Sequence, residues 1–381
     1  MATNLSPLRS LSRYSLLLVS LLSLIGILSV CGTSSTAGPS HPIGSTATST
    51  PTKDLKGTIS EFPLPTPDTR PGDITTGPDG NLWYTSVSTK TQTGMIGRIT
   101  PGGNVREYPL PANSFSTSIT AGPDGNLWFK EPGKVGRITP AGAISEFPLS
   151  TSSFVDISNW PRLLGDLWLW GDITTGPDHG IWFTEPGTNT QNGKIGRITP
   201  SGTISEFPMP TPKTQPFGIT LGPEGNLWFT AVDYNSFRGQ IGRITPTGMV
   251  SIFPLPSGPG FYSPYITAGP DGNLWFTEAD LDGWNDKIGR ITLTGKISEY
   301  PVPNRLSNLN GFTAGPDNAL WFTEDEDNHA HNARIGRITL TGKISEFPLP
   351  VPGSGPTAIT VGPDGALWFT EANSNQIGRL V

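Results

Sequence analysis

Gly362-Pro363-Asp364-Gly365-Ala366-Leu367-Trp368-Phe369-Thr370-Glu371, followed by Ile377-Gly378-Arg379-Leu380, is the last of seven copies of one pattern. The Ile-Gly-Arg-Ile element or a near variant begins at Ile96, Val135, Ile195, Ile241, Ile288, Ile335 and Ile377. A Trp-Phe or Trp-Tyr pair precedes each, at Trp83, Trp128, Trp182, Trp228, Trp275, Trp321 and Trp368. A repeat of roughly 45 residues with this regularity is the signature of a solenoid or a propeller. The turn decides between them. In Gly-Pro-Asp-Gly, proline presets φ, aspartate bonds nearby backbone and the last glycine accepts a positive φ, so the turn joins two strands. The segments around it are short, rich in Ile, Phe, Trp and Thr, and lack helical periodicity. In the last repeat these are Thr357 to Val361, Ala366 to Thr370 and Ile377 to Leu380, with Ile344 to Leu349 as a neighbour. Four strands per repeat and seven repeats predict an all-β, seven-bladed β-propeller.

Closure follows from the ends of the pattern. Ile59-Ser60-Glu61-Phe62-Pro63-Leu64 is an outermost-type strand that precedes any complete repeat, and the last repeat has only three strands of its own. The N-terminal strand is therefore expected to complete the last blade, leaving no sheet edge open between blades. Most repeats carry Arg in the third strand and Glu in the fourth, such as Arg197 with Glu206 and Arg337 with Glu346; Ile252 stands in place of the Glu in the repeat of Arg243. The regularity predicts a cross-strand ion pair of the scaffold. The turn aspartates read as turn residues and the Trp-Phe pairs as core.

The 381 residues divide into a leader (1–31), a Ser/Thr/Pro-rich tether (32–56) and one large ring (57–381). Tyr14 to Val30 is Leu-rich with Arg9 and Arg13 upstream, the pattern of an export signal. The single cysteine, Cys31, closes that stretch and is the expected lipidation site of a lipoprotein-type leader, although Val30 is a poor residue before it. Ordinary cleavage and an uncleaved anchor are the alternatives. The expected location is extracytoplasmic, with membrane contact only through this leader. One cysteine permits no internal disulfide. The 47 glycines and 39 prolines fall at fixed places in the repeat, which argues for turns rather than disorder. Net charge is −6, which disfavours nucleic acid as a partner. The ring is expected to be a monomer.

The turn between strands one and two is nearly uniform, whereas the strand two-to-three and blade-to-blade connections vary, and both emerge on one face. A small-molecule or peptide ligand is expected there. An acid follows the strand-two Trp-Phe-Thr or Trp-Phe-Lys in five repeats: Glu131, Glu185, Glu278, Glu324 and Glu371, with Ser86 and Ala231 in the other two. These acids are expected near the channel mouth, where they would bind a cation or cationic ligand, or else cap strand ends. The long insertion 150–171 carries Phe154, Trp160, Trp168 and Trp170, and Tyr234, Phe237, Phe261, Tyr262, Tyr265 and Trp284 extend the aromatic set, as a stacking wall or a self-packed lid. Glu324-Asp325-Glu326-Asp327-Asn328-His329-Ala330-His331 offers a metal set or a solvated acidic loop. No nucleophile motif or phosphate-binding glycine loop is present.

The unit Ile-Thr-x-Gly-Pro-Asp-Gly-Asn-Leu-Trp-Phe-Thr-Glu, with Ile-Gly-Arg-Ile-Thr and Ile-Ser-Glu-Phe-Pro-Leu-Pro, resembles the repeat of the virginiamycin B lyase (streptogramin B lyase) family over 57–381. The resemblance implies a seven-bladed propeller and a magnesium-dependent carbon-oxygen lyase that opens type B streptogramin depsipeptides. In that elimination a base removes an α-proton, the metal polarises the carbonyl and a carboxylate departs. It also implies a histidine in Pro-His-x-Ile-Thr leading into blade 6, Glu-Pro-His leading into blade 7, and an acid after the blade 7 Trp-Phe. This sequence has Asn310, then Gly355-Pro356-Thr357, then Ala372 with Glu371 before it. The expectation is a lyase-like propeller that binds a ligand through residues such as Asn310 and Thr357 without the reaction. The alternatives are an active lyase, with Glu371, Glu324, His329 or His331 as base and Glu324, Asp325 and Glu371 as metal ligands, or a cell-surface interaction scaffold.

Overall fold

The computed structural model describes residues 57–112, 114–150, 171–187, 192–280, 285–304, 307–325 and 333–381. The described residues form seven antiparallel sheets in a ring and no helix. Blades 1 to 6 span 69–109, 118–148, 173–208, 214–259, 261–301 and 309–348, each running from an inner to an outer strand. In blade 5 the innermost strand is split, with Phe261–Tyr262 and Ile266–Ala268 both pairing with Leu274–Asp280. Blade 7 takes Pro356–Val361, Leu367–Glu371 and Gln376–Leu380 from the end of the chain and Ile59–Pro63 from its beginning. Ile59 pairs with Leu380 and Pro63 with Gln376, so the ring closes as the sequence predicts.

The repeated residues hold neighbouring blades together. Seven apolar clusters each join the strand-two Trp and strand-three Ile or Val of one blade to the strand-two aromatic of the next. Trp83 packs with Phe129, Trp128 with Phe183, and Trp368 of blade 7 with Tyr84 of blade 1. Every one of these tryptophans is at most 1% exposed. Each also stacks on the aromatic of its own outer strand at 5.3 to 5.7 Å between ring centres. Within a blade the strand-two aromatic lies over the glycine of Ile-Gly-Arg-Ile. A Cβ on Gly136 would meet Phe129 at 2.0 Å, and the other six glycines are equally closed. The glycine thus makes room for a ring.

The predicted Arg–Glu pair is not what forms. Arg197 stands opposite Ser205, one register step from Glu206, and its guanidinium turns back along the blade. There the third-strand arginines meet the turn aspartate: Arg98 with Asp79, Arg137 with Asp124, Arg197 with Asp178, Arg290 with Asp271, Arg337 with Asp317 and Arg379 with Asp364. The same carboxylate accepts the indole N–H of the strand-two Trp, at 2.9 Å for Trp83 and 3.0 Å for Trp128. Glu224 does so in blade 4. Most of these arginines lie over that indole, as Arg137 does at 5.4 Å from the centre of the Trp128 ring. The turn aspartate is therefore a clip on Trp and Arg as well as a turn residue. The fourth-strand glutamates pair instead with the first residue of strand three: Lys134 with Glu146, Lys194 with Glu206 and Lys287 with Glu299 at 2.8 Å each, and Arg334 with Glu346 at 3.7 Å.

Candidate functional site

A cavity of about 440 Å³ opens at one end of the channel. Its walls are the beginnings of the innermost strands and the ends of the second strands, including Thr85 to Val87, Ala372 and Asn373. This is the face from which the variable connections emerge, as read from the sequence.

The inner surface has a repeat-by-repeat origin. In every blade the residue immediately before the Ile-Thr or Phe-Thr of strand one reaches the cavity. In blade order these are Asp73, Ser118, Asp172, Gly218, Tyr265, Gly311 and Ala358. Their backbones are fixed by the threonine after Trp-Phe or Trp-Tyr. The N–H groups of Asp73, Asp172, Gly218, Tyr265 and Ala358 donate to Thr85, Thr184, Thr230, Thr277 and Thr370. The Thr323 and Thr370 hydroxyls then donate to the next blade, to the carbonyls of Thr357 at 3.0 Å and Gly72 at 2.6 Å. In blade 2 Lys130 replaces the threonine, is 3% exposed, and donates to the Glu131 carbonyl at 2.7 Å. Burial lowers its pKa to about 8, against the raising effect of Glu185 and Glu131.

Asp73 and Asp172 are the polar centre of this ring. Asp73 accepts the N–H of Ile74 and, through Oδ2, that of Ile119 in the next blade at 2.8 Å each. Asp172 accepts the N–H of Ile173 at 2.7 Å and of Ile219 in the next blade at 2.9 Å. Ser118 lies between them, with its hydroxyl 3.0 Å from Asp73 Oδ2 and in hydrogen-bond contact with Asp172 Oδ1. Burial, then the charge of Asp172, pushes the Asp73 carboxyl up to about 7, and burial raises Asp172 as well. Tyr265 faces the pair, and burial followed by both carboxylates drives its hydroxyl well above the usual tyrosine range.

The sequence-derived candidates divide into three groups. Tyr265, Asn310, Thr357 and Asp325 line the cavity. Glu131, Glu185, Glu278, Glu324 and Glu371 do not; they are 0 to 7% exposed and sit inside the blades rather than at the channel mouth. The physical reason is register. Each stands opposite the first residue of strand three, Lys134, Lys194, Lys287, Arg334 or Gln376, one strand away from the channel. Burial raises Glu131 and Glu278 to about 7 and Glu371 to about 6. Trp168, Trp170, His329, His331 and Cys31 lie outside the described residues, as do Phe154, Trp160 and Trp284. Of the remaining aromatics, Tyr234 and Phe237 pack edge to face at 6.3 Å, and neither they nor Tyr262 line the cavity.

Asp73, Ser118 and Asp172 were missed as candidates because they differ from repeat to repeat. That variation was the available signal, since a position held in place by a regular frame but free in chemistry is where a ligand is read.

The metal ligands expected from the sequence are not brought together. Glu324 and Glu371 belong to two different blades and are buried within them, whereas Asp325 faces the cavity. Among the described residues no group of three or more His, Cys, Asp or Glu side chains is placed to hold a metal ion. Glu324, Asp325 and Glu371 therefore do not form one metal site.

Fold and cavity together define a seven-bladed propeller with a ligand-sized chamber at one mouth of its channel. The pattern of the virginiamycin B lyase family matches residues 43–161 and 171–380, and the chain belongs to that family. A streptogramin B lyase structure is 33% identical, with a TM-score of 0.68, covering 85% of this chain and 97% of that one. A catalytically inactive His-to-Ala variant of virginiamycin B lyase from Staphylococcus aureus, solved with quinupristin, is 34% identical with a TM-score of 0.69, covering 85% and 99%. A virginiamycin B lyase from Saccharopolyspora erythraea is 43% identical over 56 residues, which span 15% of this chain and 17% of that relative.

Proposed function

We propose that this chain is an exported member of the family that binds a ligand in the chamber on its variable face and does not open type B streptogramins. One observation carries this reading. The positions where the family resemblance implies histidine, glutamate, histidine and a further acid are at the chamber wall, and they are Asn310, Gly355, Thr357 and Ala372. Asn310 donates to the Pro356 carbonyl at 3.4 Å, and Thr357 donates to the Gly355 carbonyl at 3.2 Å. Neither side chain accepts a proton from carbon at neutral pH, so an α-proton has no base at these places. Gly355 has φ of +67°, and a Cβ there would meet Asn373 at 2.5 Å, so the backbone is not shaped to receive a glutamate. No histidine lines the chamber among the described residues. The leader ending at Cys31 supports export, with lipid anchoring through that cysteine and a monomeric ring beyond it.

The second reading is a working lyase with a relocated base. Family membership and the relative solved with quinupristin favour it. Thermal unfolding of the full chain with quinupristin as probe, followed by mass analysis of the probe, separates the two. A binding module gives stabilisation that rises with probe concentration and leaves the macrocycle intact. Consumption of the macrocycle refutes the proposal.

A further inference from the structure

The two acids at the floor of the chamber are short of hydrogens. Ser118 carries one hydroxyl hydrogen, yet its oxygen is in hydrogen-bond contact with both Asp73 Oδ2 and Asp172 Oδ1. One hydroxyl satisfies one carboxylate. The second contact is met by a three-centre bond from that one hydrogen or by a proton on a carboxyl group, and burial together with the neighbouring Asp172 charge, which pushes Asp73 up to about 7, favours a proton shared across Asp73, Ser118 and Asp172. The backbone N–H groups of Ile119 and Ile219 occupy one side of the acids, while the other side faces the chamber.

A second observation comes from Ser86, in the wall beside Asp73. It is 1% exposed, and its hydroxyl has no partner among the described residues. It stands where five other blades bury a glutamate, so blade 1 has an unused neutral donor and acceptor at the edge of the same chamber. The other charged or titratable groups of the lining are Arg70, which is exposed, Asp325 on the blade 6 side, and Tyr265 opposite the acids. Acid thus outweighs base. Blades 6 and 7 contribute the neutral Asn310 and Thr357.

Resting on the reading that the chamber binds a ligand, we propose that Asp73, Ser118 and Asp172 form the recognition site for a protonated amine on that ligand. The ammonium group takes the place of the shared proton. Its N–H groups donate to the two carboxylates, its single positive charge offsets one of their two negative charges as the shared proton did, and the displaced proton leaves to solvent. The Tyr265 ring, across the chamber from the acids, supplies an aromatic wall. The remainder of the ligand extends toward the neutral amide and hydroxyl groups of blades 6 and 7.

The test uses benzylammonium chloride against benzyl alcohol, which matches its shape without the charge, with affinities read by ligand-observed NMR on the full chain. Benzylammonium keeps its charge between pH 5 and pH 8. The site predicts saturable binding at pH 8, at least about ten-fold weaker binding of benzyl alcohol, and a comparable loss on lowering the pH to 5, well below the Asp73 value of about 7, where that acid is protonated. Asp73→Asn and Asp172→Asn each keep an oxygen for one of the two backbone N–H groups the acid accepts, set the amide NH2 against the other, and should each cost about ten-fold in benzylammonium affinity. Calorimetry near pH 6.5, where Asp73 still carries most of its proton, in buffers of different ionisation enthalpy should show proton release on binding, a readout that a purely structural acid pair would not give. If either variant fails to fold, the probe pair and the pH dependence of the wild-type chain decide. Equal affinity for the two probes, or affinity independent of pH, overturns the amine site while leaving the chamber reading intact. No saturable binding of benzylammonium, benzyl alcohol or quinupristin overturns both.

Discussion

Gly242→Ala adds a single methyl group to a strand-three glycine, and the structure fixes what that methyl meets. The new Cβ would stand 2.1 Å from Cζ and 2.2 Å from Cε2 of Phe229, where ordinary contact begins near 3.4 Å. The ring must retreat by more than an ångström. It cannot do so freely, since Phe229 is fully buried and held by Trp182, Ile195 and Ile219 across the blade interface. Overpacking of this kind costs about 1 to 3 kcal/mol, with the upper end apt where neighbours on both sides are rigid. For a ring of this size that lowers the melting temperature by roughly 1.5 to 4.5 °C. Two further substitutions calibrate the result. Gly225→Ala has φ of +80° and open space around the new atom, so it carries backbone strain alone, about 1 kcal/mol. Gly102→Ala has its nearest neighbour at 3.8 Å and should be neutral within about 0.5 kcal/mol. Thermal unfolding by circular dichroism should rank the variants Gly102→Ala, Gly225→Ala, Gly242→Ala in order of falling stability. If Gly242→Ala melts within 1 °C of wild type, the stacked glycine does not govern packing in the blade.

Other expectations follow from the same geometry. Asp73, Glu131 and Glu278 have folded pKa values raised to about 7 and Glu371 to about 6, above their unfolded values, so their stabilising contribution is complete below pH 4 and lost as pH rises through 6 to 7. The lowered turn acids Asp79, Asp124, Asp178, Asp271 and Asp364 work in the other sense, contributing above pH 4 and losing that contribution below it. Denaturant unfolding should therefore be most resistant near pH 4 and weaker at pH 8; a midpoint that rises steadily to pH 8 would contradict this. Glu131→Gln should flatten the fall between pH 5 and 8, because the buried group no longer ionises. Asp124→Ala removes the acceptor of the Trp128 indole and the partner of Arg137, and should destabilise by about 1 to 3 kcal/mol in urea unfolding. Thr370→Val should cost about 1 to 2 kcal/mol, since it leaves the Ala358 N–H and the Gly72 carbonyl without the hydroxyl that joins blade 7 to blade 1.

The fold was legible because its determinants recur. Seven tryptophans, each four residues after a turn acid, impose one geometry seven times, and even the completion of blade 7 by Ile59–Pro63 could be read from an orphan strand. The ion pairing was harder, because Arg and Glu are both present in nearly every repeat while the true partners are set by register. Arg197 lies opposite Ser205, and Glu206 is reached by Lys194. The strand-two glutamates were misplaced for a related reason. Following Trp-Phe-Thr or Trp-Phe-Lys at a strand end points toward the variable face, but the five glutamate side chains are buried within their blades, and of this position only Ser86 lines the chamber among the described residues. The lining comes from the residue before Ile-Thr or Phe-Thr, where Asp73, Ser118, Asp172 and Tyr265 alternate with Gly218, Gly311 and Ala358. A scan for repetition passes over such a position. Tyr265, Asn310, Thr357 and Asp325 were found because a loop position or a family motif drew attention to them.

The central claim, that this ring has kept the family fold and chamber without the reaction, is tested most directly by mass spectrometry of quinupristin incubated with the purified chain. One reaction contains magnesium, a second contains chelator, and a known virginiamycin B lyase serves as control. The account predicts an intact macrocycle in both reactions while the control consumes it. A linear product of unchanged mass that appears with magnesium and not with chelator would contradict it, and would place the missing base and metal ligands on residues other than Asn310, Gly355, Thr357 and Ala372.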